Sequence, residues 1–336
     1  MTREQINKLL ADISMHAQEQ PKLIETHISW VIVAATNVYK IKKPVHFSFL
    51  DFSTCEKRKY YCEQEITLNN RLTENIYLDV QPIRVKSGCY YWGGDEGEII
   101  DYAVKMMKLD GDLQMDILLS KNKVTSEHIH KLAEKIAYFH KNTTKVYGID
   151  PFELQEQFND LKNEKEFLSE NLGKTDSLII DKAIQFSDLF IRENASYLTE
   201  RIKNGYFRDC HGDLHTRNIF LLPDPQPFDC IEFNDSFRQI DILNEIAFLC
   251  MDLDAAGRQD LSELFVSNYN EFFPAVKSAK ELKLFRYYKG YRANVRAKVN
   301  SLRAGSAENE TTKNDYLSQT VRYLRLMDNY FKGDIM

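Results

Sequence analysis

The sequence contains little cysteine: six residues among 336, with no CxxC pair. So sparse a set excludes a disulfide-stabilised scaffold and is typical of reduced, intracellular proteins. Proline and glycine are also few, at eight and thirteen residues, while 43% of the chain is hydrophobic. This composition excludes collagen-like and disordered chains and predicts a globular protein with a substantial core.

Long apolar runs are lacking too. None approaches the roughly 18 to 20 residues that a membrane-spanning helix needs, and residues 1–5 begin a polar helix rather than a signal peptide. Basic residues are not in excess, because 44 Lys and Arg stand against 50 Asp and Glu, a net charge of −6. We therefore expect a cytoplasmic protein without a membrane or nucleic-acid partner, in which any basic site is local.

The chain is long enough for two domains at roughly 150 residues each. Its first hundred residues are strand-rich, and the rest is mostly helical apart from a strand–loop–strand at 206–233. This order predicts an α+β, two-lobed architecture with lobes at 1–107 and 108–336. The predicted strands are 28–34, 38–42, 80–85, 89–92 and 99–107, and the predicted helices are 3–18, 54–72, 126–140 with Ser126 as N-cap, two within 152–204, 239–253, 260–272, 281–303 and 314–331.

The segment most informative about chemistry reads HGDLHTRN at residues 211–218 and is followed by an apolar strand and, after a turn, by a second predicted strand, FDCIEF at 228–233. Asp213 and Asn218 have the spacing of a kinase catalytic loop, in which the Asp accepts the hydroxyl proton and the Asn binds magnesium. A carboxylate in the segment that follows would be a second hard ligand for Mg²⁺. Taken alone, such a pair also fits turn or cap residues.

The full string, together with VYKIKKP at 38–44, FLDFSTCEKR at 49–58 and FDCIEFND at 228–235, resembles the aminoglycoside phosphotransferase and choline kinase-like superfamily, which has a protein kinase-like fold. The resemblance extends from about residue 26 to 303 and includes a bacterial branch that is sometimes fused to a P-loop ATPase. It implies a nucleotide-binding first lobe, a catalytic and substrate-binding second lobe, and a kinase that uses ATP, or alternatively GTP, with Mg²⁺. The chain has no GxxxxGK[ST] sequence, so we expect the fused ATPase domain to be absent.

The resemblance also implies roles for single residues. Asp213 matches the catalytic base and Asn218 a magnesium ligand. For the second ligand, two residues are candidates. Glu232 lies at the position of the family motif but has Glu where the family usually has Asp, and Asp229 has the usual side chain but lies three residues earlier. If this segment is a strand, the two carboxylates point to opposite faces, and only one of them faces the nucleotide.

Two later carboxylates, Asp241 and Glu245, fall near the family's positions, and the first is expected to brace the catalytic loop. The adenine is expected at the link between the lobes, against the backbone of Met106, Met107 and Lys108. The hairpin turn at 35–37 has no glycine, unlike most phosphate-binding loops, so weak nucleotide binding or a pseudokinase stays an alternative.

A kinase also needs a strand lysine for the phosphates and a helix glutamate that orients it. Lys40 and Lys42 lie on one face of a predicted strand, because side chains alternate along strands. The family pattern favours Lys42, with Lys40 as the second choice. Of the two helix glutamates, Glu63 and Glu65, the family helix favours Glu65.

Residues 281–304 carry seven basic side chains and one acidic one, in contrast to the acidic remainder. The basic stripe, which includes Arg292 and Arg296, is either a solvated, ion-paired helix face or a site for an anionic group of the acceptor. Because it lies beside the apolar stripe, truncating these arginines should change stability little. The leading hypothesis is a kinase for a small molecule, and the alternatives are a protein or macromolecule kinase and a regulatory pseudokinase.

Overall fold

The computed structural model describes residues 1–14 and 20–332. They divide into two compact units. The first unit consists of Met1–Lys121 and Arg217–Arg238, and the second of Asn122–Thr216 and Gln239–Met336. The predicted division at residue 107 stays a prediction.

Twelve strands and eleven α-helices succeed one another along the described residues. The strands are β1 Lys22–Glu25, β2 Ser29–Val33, β3 Asn37–Lys42, β4 His46–Phe47, β5 Leu50–Asp51, β6 Tyr77–Lys86, β7 Cys89–Trp92, β8 Glu98–Met107, β9 Phe207–Asp209, β10 Ile219–Phe220, β11 Gln226–Pro227 and β12 Gln239–Asp241. The helices are α1 Arg3–Ser14, α2 Cys55–Asn69, α3 Met115–Ser120, α4 Ser126–Asn142, α5 Glu153–Asn159, α6 Lys165–Leu172, α7 Lys174–Lys203, α8 Ile242–Ala255, α9 Gln259–Phe272, α10 Ala279–Gly305 and α11 Glu310–Lys332.

The first unit is built on a six-stranded antiparallel sheet with the order β1-β2-β3-β8-β6-β7. Its β2–β3 hairpin forms from two strands rich in β-branched and aromatic side chains, and Trp30 pairs with Ile41 in register. The helix α2 begins where the Thr54 hydroxyl accepts the N–H of Lys57, an N-cap bond. The sheet buries a core of Trp30, Ile32, Ile41, Ile83 and Ala103 against Ile6 and Leu9 of α1.

The second unit is helical around α8, which is buried along 13 consecutive residues. A helix that is covered on all sides must pack against several neighbours, and here α9 and α10 both pack on α8. The short strands β9 and β12 pair antiparallel, with Asp209 opposite Gln239. The HGD sequence follows β9 after one residue, Cys210, and α8 follows β12 directly, so both the loop and the helix are anchored on this strand pair.

The predicted α+β architecture is confirmed, as are the β2–β3 hairpin, α2 and the later helices. Residues 15–18 of the predicted first helix lie outside the described residues. Within 152–204 the chain forms three α-helices rather than two, and Thr125, not Ser126, is the N-cap of α4. The predicted strand at 228–233 is wrong, because that segment has no strand conformation.

None of the helices in 1–14 and 20–332 is long and apolar enough to cross a membrane.

Candidate active site

Lys42 is a fully buried lysine at the end of β3 in the first unit. Its Nζ donates to Oε2 of Glu65 on α2 at 2.8 Å and also to Oε1 of Glu232. The three groups come from a strand, a helix and the segment after β11, so the sheet and the adjacent helix together fix their positions. Of the two candidate helix glutamates, the structure brings Glu65 to the lysines, and it pairs Glu63 with Lys59.

Lys40 lies two residues before Lys42, on the same face of β3. Its Nζ contacts Oε1 of Glu65 at 2.8 Å and Oδ1 of Asp229 at 2.6 Å. Its side chain is 15% exposed, compared with 0% for Lys42. One glutamate therefore orients both lysines, and Lys40 is the one that reaches solvent.

Lys40, Lys42, Glu65, Asp229 and Glu232 form one cluster of charged side chains. Burial would raise the pKa of Glu65, but Lys40 and Lys42 outweigh it and lower that pKa to about 2. Burial likewise opposes the charge of Lys42, but Glu232 and Glu65 raise its pKa above the ordinary value. With all five groups ionised, two ammonium groups stand against three carboxylates, a net charge of −1.

The segment that carries Asp229 and Glu232 is irregular. Asp229 has φ 63°, in the left-handed region that a non-glycine residue rarely adopts. Its N–H donates to the hydroxyl of Tyr77 at 3.0 Å, and the N–H of Cys230 donates to Oδ1 of Asn69 at 2.9 Å. The expectation that the two carboxylates point to opposite faces is therefore wrong, because both contact lysines on one face of β3.

Asn218, the other predicted magnesium ligand, is at the end of a short 3₁₀ turn at Thr216–Asn218 and is 7% exposed. Its carbonyl accepts the N–H of Phe228 at 2.9 Å. This bond ties the end of the HGDLHTRN sequence to the start of the segment with Asp229 and Glu232. The structure thus places the three predicted ligands on two adjoining stretches of the first unit.

The predicted adenine contacts lie at the end of β8. The N–H of Met107 donates to the carbonyl of Ile76 at 2.8 Å, and the N–H of Lys108 donates to the carbonyl of Thr36 at 2.9 Å. Because Asn37 Nδ2 also donates to the carbonyl of Met106 at 3.3 Å, this backbone is already engaged within the first unit. A nucleotide contact to the N–H group of Met107 or Lys108 would have to replace an existing bond.

In the second unit, the loop with the proposed catalytic Asp is held by Glu245 of α8. Its carboxylate accepts the N–H of His211 at 2.6 Å and that of Gly212 at 3.0 Å. Gly212 has φ 87°, a conformation that glycine adopts without strain. The residue that braces the loop is therefore Glu245. The expectation from the sequence that Asp241 braces it is wrong.

Asp241 has a different role. Its carboxylate forms a bidentate ion pair with Arg201 at 2.6 and 2.8 Å, and it also accepts the N–H of Leu243 as the N-cap of α8. Arg201 is 1% exposed, and sequence reasoning missed it because its partner is 40 residues away. This pair fixes the start of the helix that carries Glu245.

Asp213 itself is partly exposed, with 34% of its side chain accessible. His215 Nε2 lies 3.4 Å from its Oδ2, and His211 Nδ1 accepts its backbone N–H at 3.2 Å. Desolvation would raise the pKa of Asp213, but His215, Arg296 and His211 outweigh it and hold the pKa below its ordinary value. The carboxylate is therefore ionised at neutral pH and able to accept a proton.

A second brace follows Asp213. The N–H of Thr216 donates to Oδ2 of Asp252 at 3.1 Å, and the hydroxyl of Tyr323 donates to Oδ1 of the same carboxylate at 2.9 Å. Asp252 is 6% exposed. Sequence reasoning missed this residue, although a carboxylate inside the apolar sequence of α8 was a usable signal, because buried acids need partners.

Arg292 and Arg296 are buried, at 5% and 6% exposure, so the expectation of a solvated face beside the apolar stripe is wrong. Arg292 Nε donates to Oδ1 of Asn244 at 2.7 Å, and Nη1 donates to the carbonyl of Gly212 at 3.2 Å. Its guanidinium stacks on Phe248 at 4.7 Å from the ring centroid. Arg292 therefore holds the same loop that Glu245 holds.

This arrangement predicts a large effect of Arg292→Ala on stability. The substitution leaves Asn244 and the Gly212 carbonyl without this donor in a buried place, so we expect a loss of about 2 to 4 kcal/mol in the free energy of unfolding. Lys283→Ala, at an exposed position of the same helix, should cost less than about 1 kcal/mol. Urea unfolding of both variants measures this, and equal small losses would contradict the bracing role.

Solved structures of other proteins share this fold. A choline kinase from Cryptosporidium parvum Iowa II has a TM-score of 0.55 at 13% identity, over 99% of this chain and 98% of that chain. An aminoglycoside 2'-phosphotransferase-IIIa in complex with GDP has a TM-score of 0.50 at 13% identity, over 98% of each chain.

The chain has the fold of the aminoglycoside phosphotransferases and choline kinases. The resemblance seen in the sequence is thus confirmed for the fold.

No protein-family model matches the sequence. An uncharacterized protein of Mycobacterium tuberculosis is 30% identical over 294 residues, and the match covers 85% of this chain and 56% of the relative. An uncharacterized protein of Mycobacterium bovis matches to the same extent. The chain therefore spans little more than half the length of these relatives.

Proposed function

We propose that this chain is a phosphotransferase that moves the γ-phosphate of ATP, or alternatively GTP, to a hydroxyl group of a small molecule. The observation that carries the proposal is the buried Lys42, which is paired with both Glu65 and Glu232. A buried ion cluster of this kind is often no more stable than apolar packing of the same volume, so its presence favours a functional role. Its pattern is that of a lysine that binds phosphates, oriented by a helix glutamate.

Each group has its own task in this reaction. Asp213 accepts the proton of the acceptor hydroxyl, for which its lowered pKa keeps it ionised. Lys42 and Lys40 bind phosphate oxygens, and Glu65 holds both lysines in place. Glu245 and Arg292 position the loop that carries Asp213. Phosphoryl transfer requires little more than such positioning and charge neutralisation.

Mg²⁺ fits the donor set of the first unit. Asn218, Asp229 and Glu232 offer amide and carboxylate oxygens, the ligands that Mg²⁺ prefers, and the lysine–carboxylate cluster contains three carboxyl groups and two amino groups. When bound, the ion would neutralise charge on the nucleotide phosphates. We propose Glu232 and Asn218 as its protein ligands, with Asp229 as a further one.

The acceptor is proposed as a small molecule because the choline kinase and the aminoglycoside phosphotransferase of the same fold are named for small acceptors. An anionic group on the acceptor stays part of the proposal. It rests on the positive charge that Arg296 and Arg292 bring to the loop of Asp213, although both guanidinium groups also have partners in the protein.

The test is transfer of labelled phosphate from ATP to a library of metabolites, with anionic, neutral and cationic acceptors in separate arms and with Asp213→Asn in parallel. Transfer by the unmodified chain above the level of the variant supports the proposal. Nucleotide binding without transfer in any arm would favour a pseudokinase instead. Label that appears only on protein would favour a macromolecule kinase.

The two candidate carboxylates should differ in effect. Glu232→Gln removes a buried charge bonded to Lys42 and should reduce Mg²⁺-dependent turnover at least about 100-fold, because a neutral amide cannot offset the charge of the metal. Asp229→Asn alters a carboxylate that is 43% exposed and should reduce turnover by less than about tenfold. Steady-state kinetics at saturating ATP decide this, and the opposite ranking would transfer the main role to Asp229.

The proposed role of Asn218 predicts a defect that depends on metal. Asn218→Ala should lower activity strongly at low Mg²⁺ and recover part of it at high Mg²⁺, because a missing oxygen ligand weakens binding before it abolishes it. The measurement is the Mg²⁺ concentration for half-maximal activity. A defect of the same size at every Mg²⁺ concentration would count against the role, and Asn142→Ala, in the exposed last turn of α4, serves as the control.

A further inference from the structure

Three side chains that could ligate a metal converge behind the loop of Asp213, inside the second unit. They are His140 of α4, Cys210 just after β9 and Glu245 of α8. One potential ligand atom of each lies within 4.8 Å of the others, and all three side chains have 0% exposure. They come from three separate elements, so it is the tertiary structure that brings them together.

The imidazole of His140 has an unused nitrogen. Its Nδ1 is 2.8 Å from the hydroxyl of Tyr269, a partner that fixes the ring. Its Nε2 is buried without a hydrogen-bond partner among the described residues. Leaving such a nitrogen unsatisfied in the core costs about 1 to 3 kcal/mol, and in native proteins an ordered water or an ion commonly satisfies a group of this kind. A ring nitrogen held by a neighbouring group while the other stays available is the arrangement of histidines that bind metals.

We propose that His140, Cys210 and Glu245 bind one transition-metal ion, with Zn²⁺ as the expected occupant. Imidazole nitrogen, thiolate sulfur and carboxylate oxygen are all ligands of Zn²⁺, and the thiolate excludes Mg²⁺ and Ca²⁺. Binding would displace the proton of the Cys210 thiol to solvent. The thiolate and the Glu245 carboxylate then balance the two charges of the ion.

The site would act on the loop of Asp213 through Glu245. The same carboxylate accepts the N–H groups of His211 and Gly212, and each of its oxygens has a second lone pair. A metal bound there would fix Glu245 and, through it, the loop. Metal content can be measured without any substrate, so this site stands or falls independently of the proposed phosphoryl transfer.

The experiment uses the full chain, expressed in medium supplemented with Zn²⁺ or with Co²⁺ as a spectroscopic substitute. Metal per chain is measured by mass spectrometry, and the Co²⁺ form is examined for a thiolate-to-cobalt charge-transfer band. Cys210→Ser is compared with Cys250→Ser, because Cys250 is also fully buried but lies outside the cluster. We expect about one ion per chain and the band in the unmodified and Cys250→Ser proteins, and loss of both in Cys210→Ser.

Two results would overturn the proposal. One is less than about a tenth of an ion per chain, where tight structural sites are fully loaded. The other is metal content that Cys210→Ser does not change. If Cys210→Ser does not fold, as judged by circular dichroism, the cobalt spectrum of the unmodified chain still decides: a cobalt form without a thiolate band rules out this ligand set.

Discussion

Asp213→Asn is expected to reduce the rate of phosphoryl transfer by about 10² to 10⁴, the range for loss of a general base. An amide keeps the size of the side chain and its contact with His215 but cannot accept the proton of the acceptor hydroxyl. Because the side chain is 34% exposed, the fold should survive, and nucleotide affinity should stay within about threefold. Single-turnover kinetics separate the chemical step from binding.

The matched control for this prediction is Asp150→Asn, which makes the same chemical change at an exposed loop position of the second unit. It should leave the rate unchanged. If Asp213→Asn turns over acceptor as fast as Asp150→Asn does, Asp213 is not the base and the kinase assignment loses its central residue. If both proteins bind nucleotide and neither transfers phosphate, the pseudokinase alternative gains.

Lys42→Met is expected to destabilise the protein by about 3 to 5 kcal/mol, the cost of removing one partner from a buried ion pair. The methionine fills most of the space but leaves Glu232 without its lysine and leaves Glu65 with only Lys40. The adjacent Lys43 is the control. Its partner Glu25 is 44% exposed, so Lys43→Met should cost less than about 1 kcal/mol. Denaturant unfolding measures both.

A double variant distinguishes charge from packing. Lys42→Met combined with Glu232→Gln removes the uncompensated carboxylate as well, so it should recover about 0.5 to 3 kcal/mol of the loss. If the double variant recovers no stability, the loss in Lys42→Met comes from altered packing and not from the unpaired charge. The relevant packing partner is Phe52, whose ring centroid lies 4.9 Å from Nζ of Lys42. Phosphate transfer should be strongly reduced in both variants, because both lack Lys42 and keep only Lys40 for the phosphates.

Sequence reasoning placed the lysines and their glutamate correctly on local elements. The period-two alternation of β3 put Lys40 and Lys42 on one face, and the resemblance to the family favoured Glu65 over Glu63 on α2. Such patterns are readable because they depend only on the geometry of one element. That both lysines share one glutamate depends on how β3 and α2 pack, and the sequence left Lys40 and Lys42 as alternatives.

The expectations from the sequence were wrong where the structure depends on burial and on partners distant in the chain. A helix with seven basic residues looks solvated in sequence, yet Arg292 and Arg296 are buried because Asn244, the Gly212 carbonyl and Asp252 lie on neighbouring segments. Likewise, the apolar residues at 228–233 suggested a strand. The bonds to Tyr77 and Asn69 instead hold an irregular segment.

By itself, the sequence determined the α+β class, the hairpin and helices of the first unit, and the HGDLHTRN loop with Asp213, because local periodicity and a dense motif encode these features. Only the tertiary structure decided that Glu245 rather than Asp241 braces this loop, that Asp229 and Glu232 both reach the lysines, and that His140 and Cys210 meet Glu245. Each of these contacts joins residues far apart in the chain. The packing of whole elements in a dry core selects among the possible partners, and residue spacing does not.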